Sequence, residues 1–330
     1  MNIREIAELA GVSRAAVSRY FNNGYLSVEK KEAIKKVVEE TGYKPLLQAQ
    51  TLRTKKTKMI GIIMPKLASS ALSHVINGVL SVLNDSGYKC ILADTQNEVD
   101  KELEYLRSFN KNQVDGVVFI ATIDTPKHHE LIENNGVPVV VVGQDFKGLC
   151  SIYHDDFNAT KELTKLVLSK GRRNIAYIGV TERDISAGKN RHDGFCAAIQ
   201  EEKDAKMEYY VGDFSRKAGE EGARELLAKN PAIDAFICAT DTIALGVYKY
   251  LKDCKKRIPD DILVAGHGDS DFSNVITPEL TTVRYFFEES GVKAAKQLLS
   301  LMKRKENDKS KLLEIKMGYE IVERDSTKMS

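Results

Sequence analysis

The apolar positions of this chain change their period once. Through the first forty residues they recur at helical spacing: Ile3, Ile6, Ala7 and Ala10 form one stripe, Gly11 interrupts it, and Ser13 is placed to cap a second helix through Phe21. Ser27 is placed to cap a third, Val28 to Thr41, with Ala33, Ile34, Val37 and Val38 inward and Gly42 just past its end. Two short helices across a tight glycine-containing turn make a helix-turn-helix, whose second helix enters the major groove of DNA. Pro45 can open a further helix through Leu52 or Arg53. That helix has little core to pack on and needs support from elsewhere.

From Met59 onward, short continuous apolar runs alternate with amphipathic helices. Strands are predicted at 59–64, 89–94, 116–121, 138–143, 174–179, 208–211, 235–239 and 262–265. Helices are predicted at 71–86, 101–110, 126–135, 158–169, 191–202, 216–229 and 242–252. Runs of this kind form parallel sheets covered on both faces. Roughly 270 residues exceed what one such sheet usually holds, so two α/β lobes with a cleft between them are expected. Ligands of such folds sit beyond the carboxyl ends of the strands.

Charge sharpens the first half of this picture. The net charge is only +2, but residues 1–58 carry twelve Lys or Arg against six Glu, a net +6, and the remaining 37 basic and 41 acidic residues leave the rest at −4. A cationic head on a mildly acidic body suits a protein that grips phosphates at one end. The five cysteines form no Cys-x-x-Cys pair, and Cys90 and Cys238 lie in apolar runs as core residues. The sequence opens without an apolar export segment and contains no bilayer-length apolar run, so a cytoplasmic protein is expected. Enzyme signatures are missing: there is no Gly-x-Ser-x-Gly, no His-Glu-x-x-His and no phosphate-binding glycine loop. His128-His129 lacks carboxylates at metal-ligand spacing, and Asp155-Asp156 and Asp260-Asp261 read as solvated loop residues. Neither a cofactor nor a metal is expected.

Several collinear motifs resemble the lactose/galactose repressor family of bacterial transcription regulators over essentially the whole chain. They are Ile6-Ala-Glu-Leu-Ala-Gly-Val-Ser13 with Val17-Ser-Arg19, Pro45-x-x-x-Ala49-x-x-Leu52, Ile60-Gly-Ile-Ile63, Val114-Asp-Gly-Val-Val118, Thr240-Asp-x-x-Ala-Leu-Gly246 and Pro278-x-Leu-Thr-Thr-Val283. The resemblance implies a helix-turn-helix domain over 1–57 with a hinge helix near 45–53, and an effector-binding and dimerisation domain over 58–330. Within the latter, the first lobe is expected from about 58–157 and 287–317, and the second from about 158–286 and 318–330.

It further implies a homodimer on a near-palindromic double-stranded operator, one recognition helix per half-site. Arg14 and Ala15 fall where relatives meet base edges. Arg14 suits a bidentate contact with guanine or a phosphate, and Ala15 a thymine methyl. Ser13, Ser18, Arg19 and Tyr20 are within reach of phosphates or bases, while Ala16, Val17 and Phe21 pack the small domain. Leu52, followed by Arg53, is either the leucine that relatives wedge into the minor groove or an apolar residue at a linker junction.

For the sensor, the resemblance places a sugar or sugar-phosphate effector in the cleft. Arg191 would hold ligand hydroxyls with its fork of donors, or stand as a surface arginine. Thr240 faces ligand in relatives, Asp241 caps the helix behind it, and Phe157 and Leu72 offer apolar or stacking surface. Asp155 either joins the cleft or caps the next helix. Lys66, Ser69 and Ser73 flank the first strand–helix loop. The chain departs from its relatives at Gly266-His267-Gly268, where many read Gly-Tyr-Asp, so that Asp269 comes one place late; Gly143-Gln144-Asp145 departs likewise. Ligand in the cleft would shift the lobes and, through the dimer, the spacing of the two hinge helices, with either sign open. The closing segment Glu323–Ser330 holds no apolar heptads, so dimer rather than tetramer is expected.

Overall fold

The computed structural model describes residues 1–22, 24–43, 56–67, 69–110, 113–304 and 313–328. The chain separates into two compact units, Met1–Lys58 and Met59–Ser330.

In the first unit, Asn2 and Glu5 form a reciprocal cap. The Asn2 side-chain oxygen accepts from the amides of Arg4 (2.8 Å) and Glu5 (3.1 Å), and the Glu5 carboxylate accepts from the Asn2 amide at 3.1 Å. This starts α1 (Ile3–Leu9). Gly11 turns the chain at φ +62°, and Ser13 accepts from the Ala16 amide at 3.2 Å to start α2 (Arg14–Phe21). A third helix, α3 (Val28–Thr41), ends at Gly42 in the left-handed conformation. Ser27 occupies its N-cap position without making a side-chain cap bond, which leaves Glu29 in the first turn to offset the dipole. Ile6, Val17 and Ile34 are wholly buried and meet Ala7 and Ala16 at the centre of the three helices. The expected hinge helix, with Leu52 and Arg53, lies outside the described residues.

The second unit holds two six-stranded sheets. The first is built from β1 (Met59–Met64), β2 (Lys89–Asp94), β3 (Gly116–Ile120), β4 (Val139–Val142), β5 (Ser151–His154) and β11 (Glu314–Met317), in the order β11-β5-β4-β3-β1-β2, all parallel. Its helices are α4 (Ser70–Asp85), α5 (Val99–Ser108), α6 (Pro126–Glu133) and α11 (Phe287–Leu301). Ile60, Ile62 and Ile63 are all fully buried, as a strand covered on both faces requires. The second sheet takes β6 (Asn174–Val180), β7 (Lys206–Gly212), β8 (Ala235–Cys238), β9 (Leu263–His267), β10 (Thr281–Tyr285) and β12 (Tyr319–Val322), in the order β12-β10-β9-β8-β6-β7, with only β12 antiparallel. Around it lie α7 (Asp156–Ser169), α8 (Arg191–Gln200), α9 (Arg216–Lys229) and α10 (Asp241–Asp253).

The chain passes between the sheets at 154–156, 285–287 and 317–319. Helix crossings are close in both lobes. A Cβ on Gly78 would come within 2.0 Å of the Glu288 carbonyl oxygen, and one on Gly291 within 2.0 Å of that of Val75, so α4 and α11 meet backbone to backbone. α7 begins at Asp156 because Asp155 caps it, accepting from the Asn158 side chain at 2.8 Å and its amide at 3.4 Å. This settles Asp155 as a cap.

Candidate functional site

The sequence of α2 divides its two sides. Ala16 and Val17 are buried in the small core, whereas Arg14, Ala15 and Arg19 are exposed and Ser18 and Tyr20 half-buried. Ser13 stands at the amino end, its hydroxyl engaged in the cap. Among the described residues neither Arg14 nor Arg19 has a carboxylate partner, so both guanidinium groups remain available to phosphate or base acceptors.

In the larger unit a cavity of about 340 Å³ lies where the carboxyl ends of both sheets converge. Five strands of the first sheet deliver residues to it from their carboxyl ends: Lys66, Ser69 and Leu72 after β1, Asn97 after β2, Thr122 after β3, Gln144 after β4, His154 and Asp156 at and after β5. The second sheet adds Asp184 and Arg191 after β6, Phe214 after β7, Thr240 and Thr242 after β8, and His267 at the end of β9. A wider depression of about 540 Å³ beside α6 is lined by Asp124, His129, Glu130 and Glu133. It receives no convergent set of strand ends, and the cleft is therefore the candidate site.

Arg191 anchors the cleft floor. Its Nε donates to Asp156 at 2.7 Å, its Nη1 donates to the Ala239 carbonyl at 2.5 Å, and its guanidinium lies 4.8 Å from the Tyr285 ring centre. Buried at 8% exposure, it is no surface arginine. The Ile185–Asn190 segment before α8 is a π-helical turn, held by Asp184, whose carboxylate accepts from the Ala187 amide at 2.9 Å. The same carboxylate accepts from Gln144 Nε2 of the first lobe at 3.1 Å, and Ser186 donates to the Gly143 carbonyl at 2.6 Å. These bonds tie the two lobes together at the cleft.

Two cleft imidazoles, His267 and His154, are held toward the neutral form. His267 is wholly buried between the Cys238 carbonyl (2.8 Å from Nδ1) and the Thr160 hydroxyl (2.9 Å from Nε2). Burial, reinforced by the Arg191 charge, lowers its pKa to about 3. Burial also holds His154 below its ordinary value, pushes the Asp184 carboxyl above its own, and lowers the Lys66 ammonium despite the opposing field of Asp213.

The structure brings Leu72, Arg191 and Thr240 to the cavity wall and leaves three other sequence candidates off it. Asp269 faces away: its carboxylate pairs with Arg284 and Arg324, each at 2.6 Å, and so braces β10 to the closing segment. Asp241 is fully buried and is not the cap of α10, a role taken by Thr240, which accepts from the Ile243 amide at 3.3 Å. The Asp241 carboxylate instead gathers the Ser270 amide and the Ser273 and Thr282 hydroxyls at 2.7, 3.0 and 2.6 Å, and so fixes the loop after β9 from behind. Phe157 is 37% exposed on α7 and lies off the cavity. Lys66 and Ser69 line it, and Ser73 does not. Sequence reasoning missed Asp156, Asp184, Phe214 and Phe287 as wall residues. Their only signal was position just past a strand end.

Comparison with known proteins decides the family. Residues 2–45 match the model for bacterial regulatory proteins of the lacI family, and residues 164–327 match a periplasmic binding protein-like domain. The sucrose operon repressor of Staphylococcus xylosus is 33% identical over 319 residues, covering 97% of this chain and 99% of that protein. The chain belongs to the lacI family. It is accordingly a DNA-binding transcriptional regulator and not an enzyme. The solved trehalose repressor from Escherichia coli is 27% identical at a TM-score of 0.71, over 80% of this chain and 99% of that one. The lac repressor dimer bound to operator and the anti-inducer ONPF shares the fold of this regulator at a TM-score of 0.88 over 99% of both chains, with 22% identity. Among the described residues of this regulator no helix is long and apolar enough to cross a membrane.

Proposed function

We propose that this regulator is a cytoplasmic homodimeric repressor of a carbohydrate-utilisation operon, released from a near-palindromic operator by a sugar or sugar phosphate held in the cleft. The carrying observation is the union in one chain of a helix-turn-helix head and a cleft whose floor is a buried, forked Arg191. Names of relatives support the choice of ligand: one is a sucrose operon repressor, another a trehalose repressor. Arg14, Ala15, Ser18 and Arg19, with Ser13 and Tyr20 beside them, would meet the operator, and Leu52 with Arg53 its central minor groove.

Arg191 and Thr240 would take ligand hydroxyls while Leu72 packs against an apolar ring face. The dimer reading is supported by the sheet edges. β2 exposes Ile91 and Leu92, and β7 exposes Met207, Tyr209 and Val211; both strands close their sheets, and apolar edges call for a covering partner. Ligand binding would stabilise one relative setting of the lobes, and the dimer would convert that setting into a changed spacing of the two 45–53 segments.

The test is a pair of variants in a DNA-binding titration. Arg191→Lys keeps a cation beside Asp156 but loses the fork, and abolishes ligand-driven release while DNA binding persists. Leu52→Ala loses preference for the operator but keeps general DNA affinity. A normal ligand response in the first, or undiminished discrimination in the second, contradicts the assignment.

A further inference from the structure

One wall of the cleft is secured by residues far along the chain. His267, Gly268 and Ser270 line the cavity at and just past the end of β9. Between the last two, Asp269 turns its carboxylate away from the cavity. Its backbone stands at φ +50°, a conformation that an L-residue keeps only where its surroundings fix it. The Asp269 amide donates to the Thr282 hydroxyl at 3.3 Å, and the carboxylate accepts from Arg284 and Arg324, each at 2.6 Å.

The two arginines differ. The Arg284 side chain is 41% exposed, so solvent screens its pair with Asp269. The Arg324 side chain is 12% exposed, and its Nη1 also donates to the Leu280 carbonyl at 2.9 Å, with Glu279 3.8 Å from Nε. Breaking a sheltered, charge-assisted pair of this kind costs more, because it strips a partner from a shielded carboxylate. The residues around Arg324 hold it in place. Its amide donates to the Thr281 hydroxyl at 2.8 Å. The buried Ser326 hydroxyl accepts from the Thr281 amide at 2.8 Å and donates to the Val264 carbonyl at 2.6 Å. Residues 324–327 are thus bonded to the amino ends of β9 and β10, and from there Arg324 reaches the loop that forms the cleft wall.

We propose that residues 324–327 belong to the sensor: through the Arg324–Asp269 pair they set the 268–270 wall from the side away from the ligand, and so govern how tightly the cleft holds it. Arg324 is a positioning residue and does not touch the ligand. Resting on the ligand-sensing reading above, this role holds whichever ligand the cleft takes. Without the guanidinium, Asp269 keeps only its screened pair with Arg284, and the turn at φ +50° relaxes. Ligand binding must then re-order the wall, at a loss of affinity. Asp241 still holds the Ser270 amide at 2.7 Å, so the loosening is local.

The experiment compares the full-length protein with its Arg324→Gln and Arg324→Lys variants. In amide hydrogen exchange without ligand, residues 267–271 of Arg324→Gln are expected to exchange about tenfold faster, while β6, two strands away, keeps its wild-type rate. Calorimetric titration uses sucrose, trehalose, glucose, fructose and ribose, and the phosphate esters of the same sugars. Whichever probe the wild type binds, Arg324→Gln is expected to hold it about tenfold more weakly. Arg324→Lys keeps a cation for Asp269 but loses the arm on Leu280, and is expected to fall between the two. Exchange at 267–271 that stays at its wild-type rate overturns the inference. So does faster exchange spread evenly over the sheet, or ligand affinity unmoved in the folded variant, either of which marks a merely structural brace. All three results leave ligand sensing intact. If the wild type binds none of the probes, the sensing reading falls and the inference with it. Should Arg324→Gln fail to fold, Asp269→Asn breaks the same pair from the other side and is read in the same way.

Discussion

At the scale of single residues, His267 shows how a buried polar side chain becomes a structural commitment. Its imidazole is satisfied on both nitrogens and wholly buried, with a pKa near 3 against an ordinary value of 6.5. The unfolded chain therefore binds the proton first, so this group's contribution to stability is fully present above about pH 6.5 and is lost as the pH falls toward 3, at about 1.4 kcal/mol per pH unit. Urea unfolding between pH 7 and 5 should show that acid slope, and His267→Gln should flatten it, with His154 keeping a slope of its own. An identical slope in the variant would exclude His267 as its source.

Residue roles were the least legible part of the sequence. Arg191 and Thr240 were reachable because motif position and chemistry agreed. Asp241 and Asp269 misled because a carboxylate in a strand-end loop looks the same whether it faces a ligand or braces the protein behind it. Only the partners, Thr282 and Ser273 for one and Arg284 and Arg324 for the other, separate the two roles, and those partners are distant in sequence.

At the scale of elements, pattern carried further. The helices of the head and, β5 apart, the strands and helices between Met59 and Ala265 follow from period alone, with shifts of a few residues at their ends. The short strands β5, β10, β11 and β12 did not stand out. Ser151–His154 and Glu314–Met317 mix polar with apolar residues over only four positions, too few to define a period. Backbone-to-backbone helix contact was equally invisible, since a helical glycine ordinarily reads as a weak point. Gly291→Ala tests it. The added methyl meets the Val75 carbonyl at 2.0 Å, so α4 and α11 must part, and the melting midpoint should drop in line with a loss of about 1–3 kcal/mol. An unchanged midpoint would mean the two helices are not held at this separation.

At the scale of the whole molecule, the charge split and the double sheet were readable early, because both are sums over many residues. Assembly depends on fewer. If the exposed apolar edges of β2 and β7 are where two copies meet, Leu92→Glu with Val211→Lys should shift the protein from dimer to monomer in analytical ultracentrifugation and weaken DNA binding steeply, because each half-site would then be held alone. A dimer unaffected by both changes would place its interface elsewhere.

The most direct measurement of the central claim is fluorescence anisotropy of the full-length protein on genomic DNA fragments, with and without sugars, across a salt series. The account predicts that a few near-palindromic fragments are held far more tightly than the rest, with affinity falling by about 0.9 log units per log unit of salt for each phosphate contacted, and that one sugar or sugar phosphate releases them. Equal affinity for all fragments, or selective binding that no sugar or sugar phosphate alters, would contradict it.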